Sequence, residues 1–370
     1  MTTRRAILEG LLASGALLGA GAGVAQNRTP AEASIRRGVG YKRIATEEAF
    51  STTEVIDLYK QVVAANPADE PGDVAMWGAF LRRDRDFFEQ LLSLGERRLA
   101  DMDLMGTDMQ LLSLTAPGVQ MFDAETATSL ARSTNDELAE ACRNHPTRFA
   151  GLAAIAPQDP RRAAQEIERA TTTLGLKGVI VNSHTKGEYL DDEKFWEIFE
   201  AAEAQDAAIY IHPRPPSPAM LQPWLERGFH GPLGGFAVEV YLHVLGIITS
   251  GALDRFPNLK IVIGHMGEGL PYFMYRLDYK QGQAGNLERR ISDYLKDNVY
   301  VTTSGMAWEP AIKFAQEVLG AGHVMYAMDY PYEFDAEQVR VTDELAISDE
   351  DKKKLYQTNA ERVFHLTAAP

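Results

Sequence analysis

The sequence holds a single cysteine, Cys142, among 370 residues. One thiol excludes an intramolecular disulfide and any zinc site built on several cysteines. Its setting, Leu138-Ala139-Glu140-Ala141-Cys142-Arg143, has helical character, so Cys142 reads as a small buried apolar residue rather than a nucleophile. Positive charge is also scarce. Lys and Arg number 37 against 52 Asp and Glu, a formal net charge of −15, and no basic run with interleaved aromatics offsets it. Such a surface repels phosphate backbones and argues against nucleic acid as a partner. The apolar run Gly10 to Ala25 is too short and too rich in Gly and Ala for a membrane span. No internal repeat is visible. No Gly-x-Gly-x-x-Gly turn follows the first predicted strand, which argues against a dinucleotide-binding doubly wound sheet.

What is present begins with an Arg pair. Arg4-Arg5 precedes Ala6-Ile7-Leu8 and the apolar run, and Gly23-Val24-Ala25 places small residues before Gln26. Residues 1–25 are therefore expected to be a signal peptide of twin-arginine type; the alternative is a general secretory signal with a chance Arg pair. A route that carries folded proteins suits an enzyme that must load a metal ion before export. Residues 26–40 read as a flexible leader and 41–370 as the folded domain. The expected location is periplasmic or secreted, with no membrane partner after cleavage.

From Arg43 onward, short β-rich runs alternate with longer segments of helical period. Strands are predicted near 43–49, 109–114, 149–155, 177–182, 208–212, 260–265, 299–304 and 323–329. Helices are predicted between them, among others over 124–143, 160–173, 192–204, 236–253 and 308–318. Eight such units predict an α/β fold, a parallel (β/α)8 barrel, because parallel strands need long crossovers. Residues 51–99 form an insertion after the first strand and are expected to lie over the barrel mouth as a lid.

A barrel places its reactive groups at the C-terminal ends of its strands. Here those ends read Thr46-Glu47-Glu48-Ala49, Leu114-Thr115, Asn182-Ser183-His184, His212-Pro213, Gly264-His265-Met266-Gly267-Glu268, Ser304 and Asp329-Tyr330-Pro331. A charged or imidazole group directly after an apolar run is costly unless paired or ligated, so their convergence points to a metal site. His212 and His265 each follow a β-rich run and are read as functional. His184 reads equally as a core residue or a site residue. His243, within Val240-Tyr241-Leu242-His243-Val244, reads as a satisfied helix histidine. His145, His230, His323 and His365 are expected to be solvated. Glu47 and Glu48 point to opposite faces of their strand, so only one enters the barrel.

Several longer runs carry a resemblance: Arg43–Phe50, Leu94–Asp103, Ala156–Pro160, Gly264–Glu268, Tyr275–Tyr279 and Met325–Tyr332. Over about 41–366 the chain resembles the amidohydrolase-related decarboxylases, the aminocarboxymuconate semialdehyde decarboxylase group. Within that group it is most similar to the 5-carboxyvanillate, γ-resorcylate and 2,3-dihydroxybenzoate decarboxylases. The resemblance implies one divalent ion on Glu47, His212 and Asp329. Many relatives carry a second strand-one ligand where this chain has Ala49. Two carboxylates and one imidazole favour Mn2+, with Zn2+ as the alternative. The resemblance further implies His265, with Asp329, as a catalytic residue and Arg276 as a partner for a carboxylate or oxyanion. Thr115, Tyr332 and a lid arginine, Arg83 ahead of Arg82 and Arg85, would line the pocket with His184.

The implied reaction is non-oxidative loss of CO2 from an ortho-hydroxylated aromatic acid, 5-carboxyvanillate-like or dihydroxybenzoate-like. The metal ion chelates and polarises the substrate oxygens. Asp329 is the expected proton donor, with His265 relaying and Glu268 orienting. No organic cofactor is required, because the ring with its ortho oxygen is the electron sink. The expected assembly is a homodimer or homotetramer. A mononuclear hydrolase of an amide, ester or lactone is the first alternative. The dinuclear hydrolases of the superfamily carry His-x-His on strand one and a bridging lysine at the end of strand four, and this chain has Glu47-Glu48-Ala49 and Asn182-Ser183-His184. A non-catalytic solute-binding protein is the second alternative, and the convergent ligands argue against it. Changing Arg4-Arg5 to Lys-Lys is expected to leave the precursor in the cytoplasm, as read by fractionation and immunoblotting; unchanged export would refute the twin-arginine assignment.

Overall fold

Strands buried on both faces must be apolar in both registers, and the side chains here divide accordingly. Ile44, Leu111, Leu152, Ile180, Tyr210, Val262, Tyr300 and Met325 pack together as one cluster. Their alternates, among them Leu112, Val179, Ile209, Ile263 and Val301, pack with the surrounding helices as another. The first set fills a barrel and the second binds its helical sleeve. The structure, a computed structural model, describes residues 40–366 except His230 and Asn286. The expected signal peptide, and the leader up to residue 39, lie outside the described residues.

The strands are β1 (Ile44–Phe50), β2 (Met109–Leu114), β3 in two short runs (Phe149–Gly151 and Ala153–Ala154), β4 (Gly178–Val181), β5 (Ala208–Ile211), β6 (Ile261–Ile263), β7 (Val299–Thr302) and β8 (Val324–Met325). Each is parallel to the next, from Ile44 opposite Met109 to Val301 opposite Val324. The Leu152 amide donates to the Leu112 carbonyl at 2.8 Å and carries the ladder across the break in β3. Thr46 N to Tyr326 O at 3.0 Å and Ala49 N to Tyr330 O at 2.7 Å join the two edges. The result is the closed eight-stranded barrel that the sequence predicts.

Strand eight departs from expectation. A run over 323–329 is predicted, but the continuous strand is only Val324–Met325, with Tyr326 and an isolated parallel bridge at Tyr330 still bonded to β1. Beyond it, side chains replace the neighbouring backbone. Thr303 Oγ1 donates to the Ala327 carbonyl at 2.9 Å and accepts its amide at 3.0 Å. Glu48 accepts the amides of Met328 at 2.9 Å and Tyr330 at 3.2 Å.

The helices between strands follow local rules. In the helix Pro160–Thr172, Ala163, Glu166, Ile167 and Ala170 are buried, spacing that puts one face on the sheet. Asp159 caps it by accepting the Arg162 amide at 3.1 Å, and Pro160 occupies the first turn, where no amide is needed. Among the described residues no helix is long and apolar enough to cross a membrane.

The insertion after β1 folds as α1 (Thr53–Ala65), α2 (Pro71–Phe80) and α3 (Arg85–Leu92). Aromatic contacts seat it against the mouth: Tyr59 on Trp77, with centroids 4.4 Å apart, and Phe80 and Phe87 on Tyr332 at 5.2 and 5.4 Å. Fully buried Arg214, two residues after His212, donates to Glu70 at 2.7 Å and to Asp73. It also donates to the His184 carbonyl at 2.9 Å. A buried ion pair of this kind is costly to separate. The segment expected as a lid is therefore anchored to the rim as a wall.

Candidate metal centre

Strand parity from inward-facing Ile44 would turn Glu48, not Glu47, into the barrel. The pairing of β1 with β2 slips between Ala45 and Glu48, and that irregularity reverses the parity. Glu47 then points inward. Its Oε2 accepts from the Tyr210 hydroxyl and from Thr302 Oγ1, the latter at 2.9 Å. Its Oε1 is buried without any hydrogen-bond partner. His212 follows β5 by one residue, and its Nδ1 lies 2.8 Å from the Pro213 carbonyl. That carbonyl fixes the proton on Nδ1 and leaves the Nε2 lone pair 3.3 Å from Glu47 Oε1. Asp329, after β8, supplies the third donor. One ligand atom from each of Glu47, His212 and Asp329 lies within 4.8 Å of the others, the one such group found among the described residues. An undonated, buried carboxylate oxygen facing a lone pair and a second carboxylate is repulsive unless a cation lies between them. The residues present therefore fit a divalent ion with three protein ligands and open positions.

The β6 loop is unusual in its backbone. His265, Met266, Gly267, Glu268 and Gly269 all have positive φ, between 50° and 85°. Three of these five are not glycine, and left-handed conformations at such residues cost about 1–3 kcal/mol each. Strain of this kind clusters at functional sites. Here it turns His265 back toward the ligands, with Nε2 at 3.8 Å from Asp329 Oδ2 and 3.9 Å from Glu47 Oε1. Glu268 Oε1 stands 2.7 Å from His265 Nδ1, an ion-pair contact without hydrogen-bond alignment. Burial alone would lower the His265 pKa, but Glu268, Glu47 and Asp329 together hold it well above the usual imidazole range. Asp329 itself has φ 67°. Burial pushes Glu48 up to about 8, against the Met328 and Tyr330 amides, which pull it down.

The other expected site residues divide. Thr115 Oγ1 and Tyr332 OH are hydrogen-bonded at 2.5 Å. Both line a narrow cleft with Glu47, His212, Asp329 and Ile180. A larger hollow lies by Pro157–Arg161 and Thr185–Glu197, and none of the three ligands lines it. Arg83 is exposed at the rim, its guanidinium 4.1 Å from the centroid of Phe87, which in turn contacts Tyr332. Arg85 is paired outward with Glu89, which separates the two arginines.

His184 is not brought to the cleft. It is buried, its Nε2 facing the Pro215 carbonyl at 3.2 Å and its Nδ1 accepting the Gly187 amide at 3.1 Å, and burial pushes its pKa down to about 2. It is the core histidine of the two alternatives. Arg276 is exposed on the helix Leu270–Lys280, away from the cleft lining. His243 is satisfied as expected, by Ser183 Oγ and the Leu190 amide, both at 3.1 Å. His323 is half-buried rather than solvated, stacked on Tyr300 with centroids 4.5 Å apart.

A profile of the amidohydrolase family matches residues 53–366. The chain belongs to the amidohydrolase family. The chain is 35% identical over 344 residues to a gamma-resorcylate decarboxylase from Polaromonas sp., covering 88% of this chain and 98% of that one. It superposes with a TM-score of 0.87 on the crystal structure of 5-carboxyvanillate decarboxylase from Novosphingobium aromaticivorans, complexed with manganese and 4-hydroxy-3-methoxy-5-nitrobenzoic acid. That alignment is 48% identical and covers 91% of this chain and 99% of the other. A 2,6-dihydroxybenzoate decarboxylase complexed with 2,6-dihydroxybenzoate is 32% identical, with a TM-score of 0.77 over 88% of this chain and 99% of that one.

Sequence reasoning missed the residues that aim Glu47. Tyr210 lies two positions before His212 on the same strand face, and Thr302 two positions after Tyr300, so period two was the available signal. Gly264 was also missed. A Cβ there would stand 2.6 Å from Glu47 Oε2, an atom pinned by Tyr210 and Thr302. Gly264→Ala is therefore expected to displace the carboxylate and weaken Mn2+ binding about tenfold or more, measured by titration of the metal-free protein with far-ultraviolet circular dichroism unchanged. Wild-type affinity in that variant would refute the close approach.

Proposed function

We propose that this protein is a metal-dependent, non-oxidative decarboxylase of ortho-hydroxylated aromatic acids. The observation that carries it is the open donor set: Glu47 Oε1 without a partner, beside an imidazole lone pair and Asp329, with the His265 imidazole behind them. Relatives similar over most of their length are named for this chemistry. Two carboxylates and one imidazole favour Mn2+ over Zn2+. When bound, the ion supplies Lewis acidity toward a phenolate and an adjacent carboxylate and so fixes the ring.

The chain's own groups then account for the proton. Asp329 delivers it to the ring carbon that bears the carboxylate. His265, whose charged form is favoured by three carboxylates, replaces it, and Glu268 holds the imidazole in place. The new C–H bond breaks aromaticity, and cleavage of the C–C bond to the carboxylate returns the electron pair to the ring as CO2 leaves. Ile180 and Leu114 provide an apolar wall for a planar ring, and the Thr115–Tyr332 pair offers hydroxyls to its substituents.

Self-association belongs to the same proposal. Tyr272, Tyr275 and Tyr279, at helical spacing on Leu270–Lys280, are 75, 84 and 72% exposed. A stripe at that spacing normally faces a partner, and a second copy of this chain is the partner proposed, as a dimer or tetramer. Arg276 lies in the stripe, so its expected contact with a substrate carboxylate requires presentation across such an interface. The leader supports placing the reaction outside the cytoplasm.

Supplied with Mn2+ and a dihydroxybenzoate or 5-carboxyvanillate, the enzyme should release CO2. In D2O the product should carry one deuterium at the carbon that lost the carboxylate, read by mass spectrometry and NMR. Asp329→Asn should abolish turnover, with metal content measured in parallel. No CO2 from a broad panel of such acids, with solvent oxygen entering the products of an ester, amide or lactone panel, would replace this assignment with the hydrolase. For assembly, the wild type should sediment as two or four copies, and the double variant Tyr275→Lys, Tyr279→Lys as one; a monomeric wild type would remove the interface.

A further inference from the structure

The geometry points to Glu48, which faces away from the cleft, as the positioning residue that sets Asp329 in place. Three successive amides, those of Met328, Asp329 and Tyr330, are bound by two successive residues of β1. The Glu47 carbonyl accepts from the Asp329 amide at 3.1 Å. Glu48 Oε1 accepts from Met328 at 2.9 Å, and Glu48 Oε2 from Tyr330 at 3.2 Å. The carboxylate thus grips the chain on both sides of Asp329, beyond the end of the continuous β8 strand, where Asp329 has φ 67°. In the left-handed region a non-glycine residue persists only where its surroundings over-determine it, and the paired grip does that.

Glu48 is itself fixed. It is fully buried, and Gln110 Nε2 donates to its Oε2 at 3.3 Å. Gln110 Oε1 accepts from buried Arg98 at 3.1 Å, and the Arg98 guanidinium lies 4.6 Å from the Tyr330 ring centroid. A carboxyl group serves both amides, since it carries an acceptor lone pair on each oxygen whether or not it is ionised, whereas an amide side chain turns an N–H toward one of them. The inference rests on the metal-binding role proposed for Asp329.

The test compares Mn2+ affinity, metal-free melting temperature and steady-state kinetics for the wild type, Glu48→Gln and Thr303→Val. Thr303→Val removes two buried hydrogen bonds at Ala327 on the same segment, so it controls for lost stability alone. Glu48→Gln is expected to weaken Mn2+ binding and lower kcat about tenfold or more, with KM changed little and a fall in melting temperature no larger than that of Thr303→Val. Thr303→Val is expected to lower the melting temperature while keeping Mn2+ affinity within about threefold. Should Glu48→Gln not fold, Gln110→Met tests the same grip by removing its support; weaker Mn2+ binding upholds the inference and wild-type binding overturns it. Wild-type affinity in Glu48→Gln, or equal losses of affinity in Glu48→Gln and Thr303→Val, also overturns it. A wild-type chain that binds no Mn2+ would overturn the metal assignment as well.

Discussion

Burying three carboxylates at one end of a barrel is the constraint around which the rest of the structure is arranged. Glu47, Glu48 and Asp329 are brought together where β1 meets β8, and such groups are costly away from water unless they are hydrogen-bonded or paired. The chain treats each differently. Glu48 receives two backbone amides and Gln110, with Arg98 behind them. Glu47 receives donors on one oxygen only, from Tyr210 and Thr302. Asp329 keeps partial exposure at the cleft. What remains uncompensated is a single directed deficit at Glu47 Oε1, and an enzyme can use that to bind a cation.

The same constraint explains the backbone irregularities. Regular pairing of β1 would turn Glu48 inward, so the strand slips by one residue. A regular β8 would spend the Met328 and Tyr330 amides on a ladder, so the strand stops at Met325 and side chains take them. The left-handed run from His265 to Gly269 aims an imidazole at the ligands from the next loop but one. The energetic cost of these departures is met by the apolar barrel and sleeve, whose strands follow period two almost throughout.

Much of this was legible in the sequence. The strand positions follow from β-rich runs, and the ligands His212 and Asp329 stand out because polar groups directly after such runs require an explanation. What was hidden shares one property: its partners are far away in sequence. Glu48 meets amides 280 and 282 positions on, and Arg214 meets Glu70 and Asp73 some 140 positions earlier. Alternation says that Glu48 faces away from Glu47 but not what it meets there. His184, which follows β4, reads equally as a core or a site residue in sequence, and its ring is consumed by backbone groups of the adjoining loops. Arg276 has a family-like context, but its helix faces outward, and no pattern within one chain reveals what lies opposite an exposed face.

The end of β4 bears on reaction class. Dinuclear members of the superfamily need a ligand there, and in this chain that end is committed to structure. One side chain, Gln120, accepts the Asn182 amide at 2.5 Å and donates to the carbonyls of Asn182, Ser183 and His184 at 3.1–3.2 Å. Ser183 is tied to Glu239 and His243, and Gly118 leaves no room for a Cβ beside the Asn182 amide group. None of these side chains lines the cleft at the metal ligands. A second ion would lack the bridging ligand it needs, and what is left to the site is one set of donors, Glu47, His212 and Asp329, with the His265 imidazole beside them. Those groups would suffice for the proposed protonation of a ring carbon, a step that needs no second activated water.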